Sequence, residues 1–281
     1  MKILTTGFHG FTGYHIAAMG PKFHHEIVPM MSDLSDIAGM QSEIEETRPN
    51  AILHLAAKSF VNEKETSSFE KVNVAGTQNL LIAIDNTDVP LEKILIASSA
   101  NIYGNANKSP IPEKAFANPV NEYAKSKVMM ESNALSYAKK MPIIITRPFN
   151  YTGVNQDIKF LIPKIVSHFK QRKAVIELGN IDIEREFNDV RFVCESYLRL
   201  LEISKNNEIY NICTGKPHSI SAIIDLLKQL TGHDIKVIKS EEFVRETDIA
   251  SLYGNPDKLY KTVPKLHKYT IEETLTWMLN H

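Results

Sequence analysis

The chain has 281 residues, 43% of them hydrophobic and 23% charged, with a formal net charge of -1. That length suits one nucleotide-binding domain plus a smaller lobe. The spread, nearly balanced charge argues against binding nucleic acid or a membrane surface through a basic field.

Met1-Lys-Ile-Leu-Thr enters a strand at once, so Lys2–Thr6 predicts the first strand. No charged-then-apolar leader precedes it and no apolar run is long enough to span a bilayer; a cytoplasmic protein is expected. Phe11–Met19 predicts a short helix stopped by Gly20-Pro21, Glu26–Met30 a strand, Ile37–Thr47 a helix and Ala51–Ala57 a strand. Ser67–Asp85 predicts a longer helix, Lys93–Ser99 a strand, Asn121–Lys140 a helix and Pro142–Arg147 a strand. This alternation implies parallel βαβ units and an α/β, Rossmann-type doubly wound parallel sheet.

The second half is less regular. Helices are expected over Lys159–Gln171, Asp189–Ser204, Ser219–Leu230 and Ile271–Leu279, the last carrying the only Trp. Strands are expected over Ala174–Leu178, Glu208–Cys213 and Ile235–Ile238. The expected division is a dinucleotide-binding domain from 1–150 plus 186–215, and a smaller substrate lobe from 151–185 plus 216–281. A cleft between them is the default substrate site. Cys194 and Cys213 form no Cys-x-x-Cys pair and read as reduced core thiols. No metal site is expected.

Gly7, Gly10 and Gly13 fall between the first strand and the first helix. Such glycines permit a tight turn and let backbone N–H groups approach a pyrophosphate at a helix N-terminus. A plain tight turn would leave the same trace. Phe11 follows Gly10 as the first residue of the predicted helix. An acid that would hold the cofactor ribose is not placed directly after the second strand. Asp33 is the nearest acid, and it suits a cap on the next helix better than a ribose contact; the pair Asp33-Leu34 can also lie against adenine. NAD and NADP both remain open. Leu55, Ala56 and Ala57 end the third strand with small residues, as a close backbone approach or dense packing would require. Asn73 sits among apolar neighbours and needs partners if buried; bracing the neighbouring strand loop is one way to satisfy it.

Tyr123 and Lys127 are four residues apart on a predicted helix and share a face. An ammonium there would lower the pKa of the phenol and make it a usable proton donor and acceptor. Ser98 and Ser99 close the fourth strand. Ser99 would hold a substrate oxygen beside the Tyr123 phenol. Together these point to hydride chemistry on a carbonyl or alcohol with a nicotinamide cofactor.

The set TGFHGFTG, HLAAKS, SSANIYG, YAKSK, RPFN and REFNDV resembles the extended short-chain dehydrogenase/reductases that act on nucleotide sugars. The resemblance covers nearly the whole chain. The segments from Arg147, Ile181 and Tyr210 look most like GDP-6-deoxy-mannose reductases, which reduce 4-keto sugars. The resemblance implies Ser99, Tyr123 and Lys127 as catalytic residues. For the cofactor it implies Gly7, Gly10 and Gly13 on the pyrophosphate, with Phe11, Asp33, Leu34, Leu55, Ala56, Ala57, Asn73, Ser98, Tyr123, Lys127 and Pro148 around NADP or NAD. For a nucleotide sugar it implies Ser99, Asn101 and Asn150, with Arg185 and Arg245 on the diphosphate, where a guanidinium fork suits phosphate oxygens. The 4,6-dehydratases of this family carry an Asp-Glu pair after the catalytic hydroxyl residue. Ala100 and Asn101 stand there, and neither does acid–base work, which leaves a reductase or a 4-epimerase. A homodimer through the helices at 67–85 and 121–140 is implied as well. A non-catalytic sensor on the same fold has no need of Ser99, Tyr123 and Lys127.

Overall fold

The computed structural model describes residues 1–59, 67–106, 108–240 and 251–281. The chain opens with β1 (Lys2–Thr6), α1 (Phe11–Met19), β2 (Glu26–Pro29), α2 (Ile37–Thr47) and β3 (Ala51–His54). A helical stretch follows, made of α3 (Ser67–Phe69), a π-helical turn over Glu70–Ala75 and α4 (Gly76–Asp85). Next come β4 (Lys93–Ala97), a 3-10 turn over Ala100–Tyr103, α5 (Glu122–Ser136) and β5 (Ile143–Pro148). The remainder runs β6 (Tyr151–Thr152), α6 (Leu161–Lys170), β7 (Val175–Leu178), β8 (Glu184–Glu186), β9 (Asn188–Asp189), α7 (Val190–Ile203) and β10 (Glu208–Ile212). It closes with β11 (Pro217–Ser219), α8 (Ile220–Thr231), β12 (Lys236–Lys239), β13 (Ser251–Leu252), α9 (Asp257–Thr262) and α10 (Ile271–Leu279).

The main sheet has six strands in the order β10-β5-β4-β3-β1-β2, and every pairing is parallel. The α/β, Rossmann-type doubly wound fold expected from the sequence is the observed one. Side-chain alternation splits each strand between two cores. Ile3, Leu53, Leu95 and Ile144 face the layer of α1 and α7, where Ile16, Val193, Tyr197 and Leu201 are buried. Leu4, Ile52, Ile94, Ile96, Ile143 and Ile145 face α2, α4 and α5, against Met40, Ile44, Leu80, Ile84 and Met130. Burial on both faces explains why these strands read as continuous apolar runs. A third core joins α6, β7, α8, β12 and α10 through residues such as Val166, Phe169, Ile176, Ile224 and Leu275. The order in which strands are added reverses between β1 and β3, so the crevice beyond their carboxyl ends is where a ligand binds in such sheets.

Several boundaries differ for local reasons. The third strand stops at His54 instead of Ala57 because Ala56 N–H turns to the Thr6 side chain (3.2 Å) and leaves the ladder. The helix expected over Asn121–Lys140 begins at Glu122, with the Asn121 side chain accepting from Ala124 N–H (2.8 Å) as its cap. The expected helix over Ser67–Asp85 is interrupted by the π turn that contains Asn73. Strands β6, β8, β9, β11 and β13 are only two or three residues long. Pieces that short carry no readable alternation, and the sequence reading missed them.

Candidate active site

The loop after β1 makes a cradle. Gly7 has φ +68°, and a Cβ there would come within 2.6 Å of Ala56 N and 2.9 Å of the Leu55 carbonyl carbon. The loop after β3 is therefore packed directly on this glycine. Gly10 is the N-cap of α1 in extended conformation and, having no side chain, leaves the first N–H groups of the helix without a cap of its own. A Cβ on Gly13 would collide with the carbonyl oxygens of Gly7 and Phe8. Only glycines let loop, helix and neighbouring strand close up in this way. The cradle fits a dinucleotide pyrophosphate: a bare, positively polarised helix end at the switch point of the sheet. Phe11 stacks on Tyr151 (centroids 5.9 Å, 14° between planes), and the Thr12 hydroxyl is 2.9 Å from the Tyr151 hydroxyl.

A buried proton-ordered chain holds the wall of the cradle. Ala56 N–H donates to the Thr6 hydroxyl, which lies 2.6 Å from His54 Nδ1. His54 Nε2 is 2.8 Å from the Thr77 hydroxyl, which donates to the Asn73 carbonyl (2.8 Å). Since Thr77 spends its proton on that carbonyl, His54 carries its own proton on Nε2 and accepts from Thr6 at Nδ1. Burial, with the Lys127 ammonium nearby, pushes the His54 pKa down to about 3, so the ring is neutral.

Asn73 is fully buried and braced on both sides. Its side-chain Oδ1 accepts from Lys58 N–H (2.9 Å), and its side-chain amide Nδ2 donates to the Lys58 carbonyl (3.1 Å) and the Ser126 hydroxyl (2.9 Å). It ties the loop after β3 to α5, the helix that carries Tyr123 and Lys127.

Those two side chains share the buried face of α5. Lys127 Nζ donates to the Ala97 carbonyl (2.8 Å), the last residue of β4, and burial lowers its pKa to about 8 against the pull of Glu131. Tyr123 is 6% exposed. Burial raises its phenol pKa, and a hydrogen-bonding interaction with Ser99 lowers it. The expectation that Lys127 does the lowering is corrected here: its ammonium is directed at Ala97, and Ser99 is the group acting on the phenol. Ser99 caps the 3-10 turn, its oxygen accepting from Asn101 N–H and Asn101 Nδ2, each at 3.1 Å. Ser98 N–H reaches the Thr146 carbonyl (2.7 Å), while the buried Ser98 hydroxyl has no partner among the described residues.

The remaining candidates divide. Pro148 ends β5 beside Ile212 of β10. Exposed Asn150 gives its carbonyl to Asn188 N–H and amide (2.8 and 3.2 Å). Arg185 lies on β8 between His218 and Leu252, and its guanidinium donates to the Glu184 carbonyl (2.8 Å). Leu34 packs on Gly76, and its carbonyl accepts from Asn79 (2.9 Å). Asp33 is not the helix cap considered for it. It folds back on Ser35 N–H and hydroxyl (2.8 and 2.7 Å), while Asp36 caps α2 through Gly39 N–H (2.9 Å). The helix starts at Ile37, so only a residue at 36 reaches its first free N–H groups. Arg245 lies outside the described residues.

Three features escaped sequence reasoning. Glu43 reaches from α2 to the Met31 and Ser32 N–H groups (2.8 and 2.6 Å) and fixes the turn after β2. Buried Arg147 binds Glu131 through Nε (3.0 Å) and Nη2 (2.6 Å), and its Nη1 donates to Tyr103 (2.9 Å) and the Glu113 carbonyl (2.8 Å). Tyr103 donates on to Asn211 (2.7 Å). Buried Glu186 accepts from Thr214 N–H and hydroxyl, Gly215 N–H and Gly254 N–H. A charged residue inside an apolar strand, as at Arg147, was the available signal for a buried partner.

A family model described as GDP-mannose 4,6 dehydratase matches residues 13–278. The chain belongs to this family, within the extended short-chain dehydrogenase/reductases. A curated relative from Aggregatibacter actinomycetemcomitans, GDP-6-deoxy-D-talose 4-dehydrogenase, is 38% identical over 96% of this chain and 94% of its own. The GDP-6-deoxy-D-mannose reductase of Pseudomonas aeruginosa is 28% identical over 99% and 96%. Among solved structures, a putative epimerase from Burkholderia cenocepacia superposes with TM-score 0.94 at 35% identity, covering 100% of this chain and 97% of its own. The RMD of P. aeruginosa complexed with NADPH gives TM-score 0.92 at 28% identity, over 99% and 97%. This member of the family is an NAD(P)-dependent oxidoreductase. Among the described residues no helix is long and apolar enough to cross a membrane.

Proposed function

We propose that this enzyme uses NADH or NADPH to reduce the 4-keto group of a nucleotide-activated 6-deoxy sugar. The observation that carries the reading is one juxtaposition. Tyr123 and Lys127 share the buried face of α5, with the Lys127 ammonium on the last carbonyl of β4 and Ser99 two residues further on, at the carboxyl edge of the sheet that also bears the glycine cradle. The two curated relatives are named for redox chemistry on GDP-6-deoxy sugars, which supports a GDP sugar as substrate.

When bound, a reduced nicotinamide supplies the hydride. Gly7, Gly10 and Gly13 seat the pyrophosphate, and Phe11, Leu55, Ala56, Ala57, Ser98 and Pro148 shape the walls. Asn73 keeps the loop after β3 in place, and Asp33 and Leu34 lie toward the ribose and adenine. Ser99 donates to the keto oxygen and orients it. Tyr123 delivers the proton to that oxygen as charge develops there. Lys127, whose lowered pKa leaves it charged below about 8, holds the nicotinamide ribose. Asn150 and Arg185, together with Arg245 by sequence, grip the sugar nucleotide, so that binding energy remote from the carbonyl positions it. The division into 1–150 plus 186–215 for cofactor and 151–185 plus 216–281 for substrate belongs to the same proposal. So do a homodimer through α4 and α5 and a cytoplasmic location.

Ala100 and Asn101 stand where the family resemblance puts the dehydratases' acid–base pair, and neither moves a proton, so water elimination is not the reaction. The likeness to a putative epimerase favours one second reading, 4-epimerisation with retained NAD. A GDP-4-keto-6-deoxyhexose incubated with NADH or NADPH decides between them. Reduction consumes one added cofactor per product; conversion with unchanged reduced-cofactor absorbance supports the epimerase. Tyr123→Phe keeps the buried ring and loses the proton, and turnover should fall by about two to four orders of magnitude. Near-normal turnover by that variant would remove the assignment.

A further inference from the structure

We propose that Asn101 is a positioning residue: it fixes the direction of the Ser99 hydroxyl, making Ser99 a donor toward Tyr123 and toward the substrate oxygen. This rests on the proposed acid–base role of Ser99 and Tyr123.

A serine hydroxyl offers one proton and two acceptor lone pairs. Both acceptor positions of Ser99 Oγ are taken by a single residue. The backbone N–H and the side-chain amide of Asn101 each donate to it at 3.1 Å. The only capacity left on Ser99 is its own proton. With both lone pairs engaged by the 3-10 turn, that proton points away from the turn, and we take the Tyr123 phenol as its acceptor. Ser99 therefore donates to the Tyr123 oxygen and favours the phenolate left once Tyr123 has given up its proton. In a substrate complex the same proton polarises the keto oxygen.

The geometry works only with a donor at 101. With an acceptor there, the Ser99 proton would turn inward to it. A Ser99 lone pair would then face Tyr123 and take up the phenolic proton meant for the substrate. Asn101 is exposed and leaves the Tyr123 ring packing untouched, so it can be replaced without opening the core. The neighbouring backbone N–H remains in every variant, so the 3-10 turn keeps its cap.

The test is a double-mutant cycle on the full-length protein with a GDP-4-keto-6-deoxyhexose and NADPH or NADH as probes. Asn101→Ala should lower kcat about tenfold with KM changed less than about twofold, since one charge-stabilising donor is weakened in the transition state. Asn101→Asp should lower kcat about a hundredfold, because the Ser99 proton is turned away altogether. Reduction requires a protonated phenol, so a raised phenol pKa extends the alkaline limb of the kcat profile to higher pH in both variants. Phenolate absorbance, taken as the difference from the corresponding Tyr123→Phe protein, should show Tyr123 titrating at higher pH in the same two. In a Ser99→Ala background, Asn101→Ala should change kcat less than about twofold and leave the phenol titration unmoved, because the residue acts only through Ser99.

Equal losses from Asn101→Ala with and without Ser99 would overturn the proposal. So would a change in KM alone, which marks a substrate contact, or no change at all. Tyr123→Phe separates the layers. If it stays active, the acid–base reading itself fails. If it is inactive while Asn101→Ala is unaltered in rate and titration, only the role of Asn101 falls.

Discussion

Two clusters of backbone N–H groups in this molecule are filled in opposite ways. At the start of α1 the cap is Gly10, which offers no side-chain acceptor. At the turn after β10, the N–H groups of Thr214 and Gly215 converge with that of Gly254 on one carboxylate, Glu186. The first cluster is open to an anion from outside. The second is occupied by the chain's own anion, which clips the turn at 214–215 to the segment at 254 across β8. Exchange and permanence call for different chemistry around backbone N–H groups. An exchanging anion leaves the helix end to solvent between visits. A permanent one is buried, and burial raises the Glu186 pKa even as its four donors pull it down.

Closing the open cluster should have the largest effect. A valine at position 13 drives its Cβ into the carbonyl oxygens of Gly7 and Phe8, which are backbone and do not swing aside. Gly13→Val should weaken NAD(P)H binding by about a hundredfold or more, equivalent to roughly 3 kcal/mol of displaced loop. Cofactor fluorescence titration measures it. Binding at wild-type affinity would show that the glycine loop is not the cradle.

Emptying the filled cluster should cost less. Glu186→Ala leaves three N–H groups and the Thr214 hydroxyl without their acceptor in the interior, for a loss of about 3 kcal/mol in urea unfolding. Formate is small enough to occupy the vacated space, and saturating formate should recover part of the lost stability in this variant and none in Gly13→Val. A Glu186→Ala protein as stable as wild type would mean that the clip holds nothing.

The two clusters also differ in how far the sequence announces them. The open one is local: strand, glycines and helix lie within Lys2–Met19, and the alternation of Ile3 and Leu4 already places them in a buried strand. Tyr123 and Lys127 are legible for the same reason, since helical spacing alone puts them on one face. The filled cluster is not local. Glu184-Arg-Glu186 looks like a charged surface stretch. Its inward and outward residues are assigned only by pairing with residues 217–219 and 251–252. Asp33 and Asp36 show the limit at short range. The helix start at Ile37 is legible in the sequence, yet Asp33 is the acid considered there for the cap; the residue directly before the helix, Asp36, holds that place, and Asp33 turns to Ser35. The direction of the Lys127 ammonium, toward Ala97 instead of the phenol, depends on β4 and α5 meeting and is written in neither segment.

The smallest predicted effect concerns the wall of the open cradle. Ala56, which packs on Gly7, is held through Thr6 to neutral His54. In the unfolded chain His54 takes a proton below its ordinary value of 6.5; in the fold it stays neutral down to about 3. Between those values the unfolded state binds the extra proton, so the stability contributed above pH 6.5 is lost as pH falls. From pH 7 to pH 5.5 the loss from this one group should be about 1 kcal/mol. His54→Gln cannot titrate, so it should be less stable than wild type at pH 7 and the gap should narrow by that amount at pH 5.5. Urea unfolding at the two pH values measures it. The comparison with Glu186 sharpens here, because an acid with a raised pKa has the opposite slope. Its share of stability is complete below the ordinary glutamate value and declines as pH rises through the raised one. Wild type compared with His54→Gln should therefore gain stability on going from acid toward neutral pH, and wild type compared with Glu186→Gln should lose it. Two differences of the same sign would mean that one of the two buried groups does not titrate as its surroundings dictate.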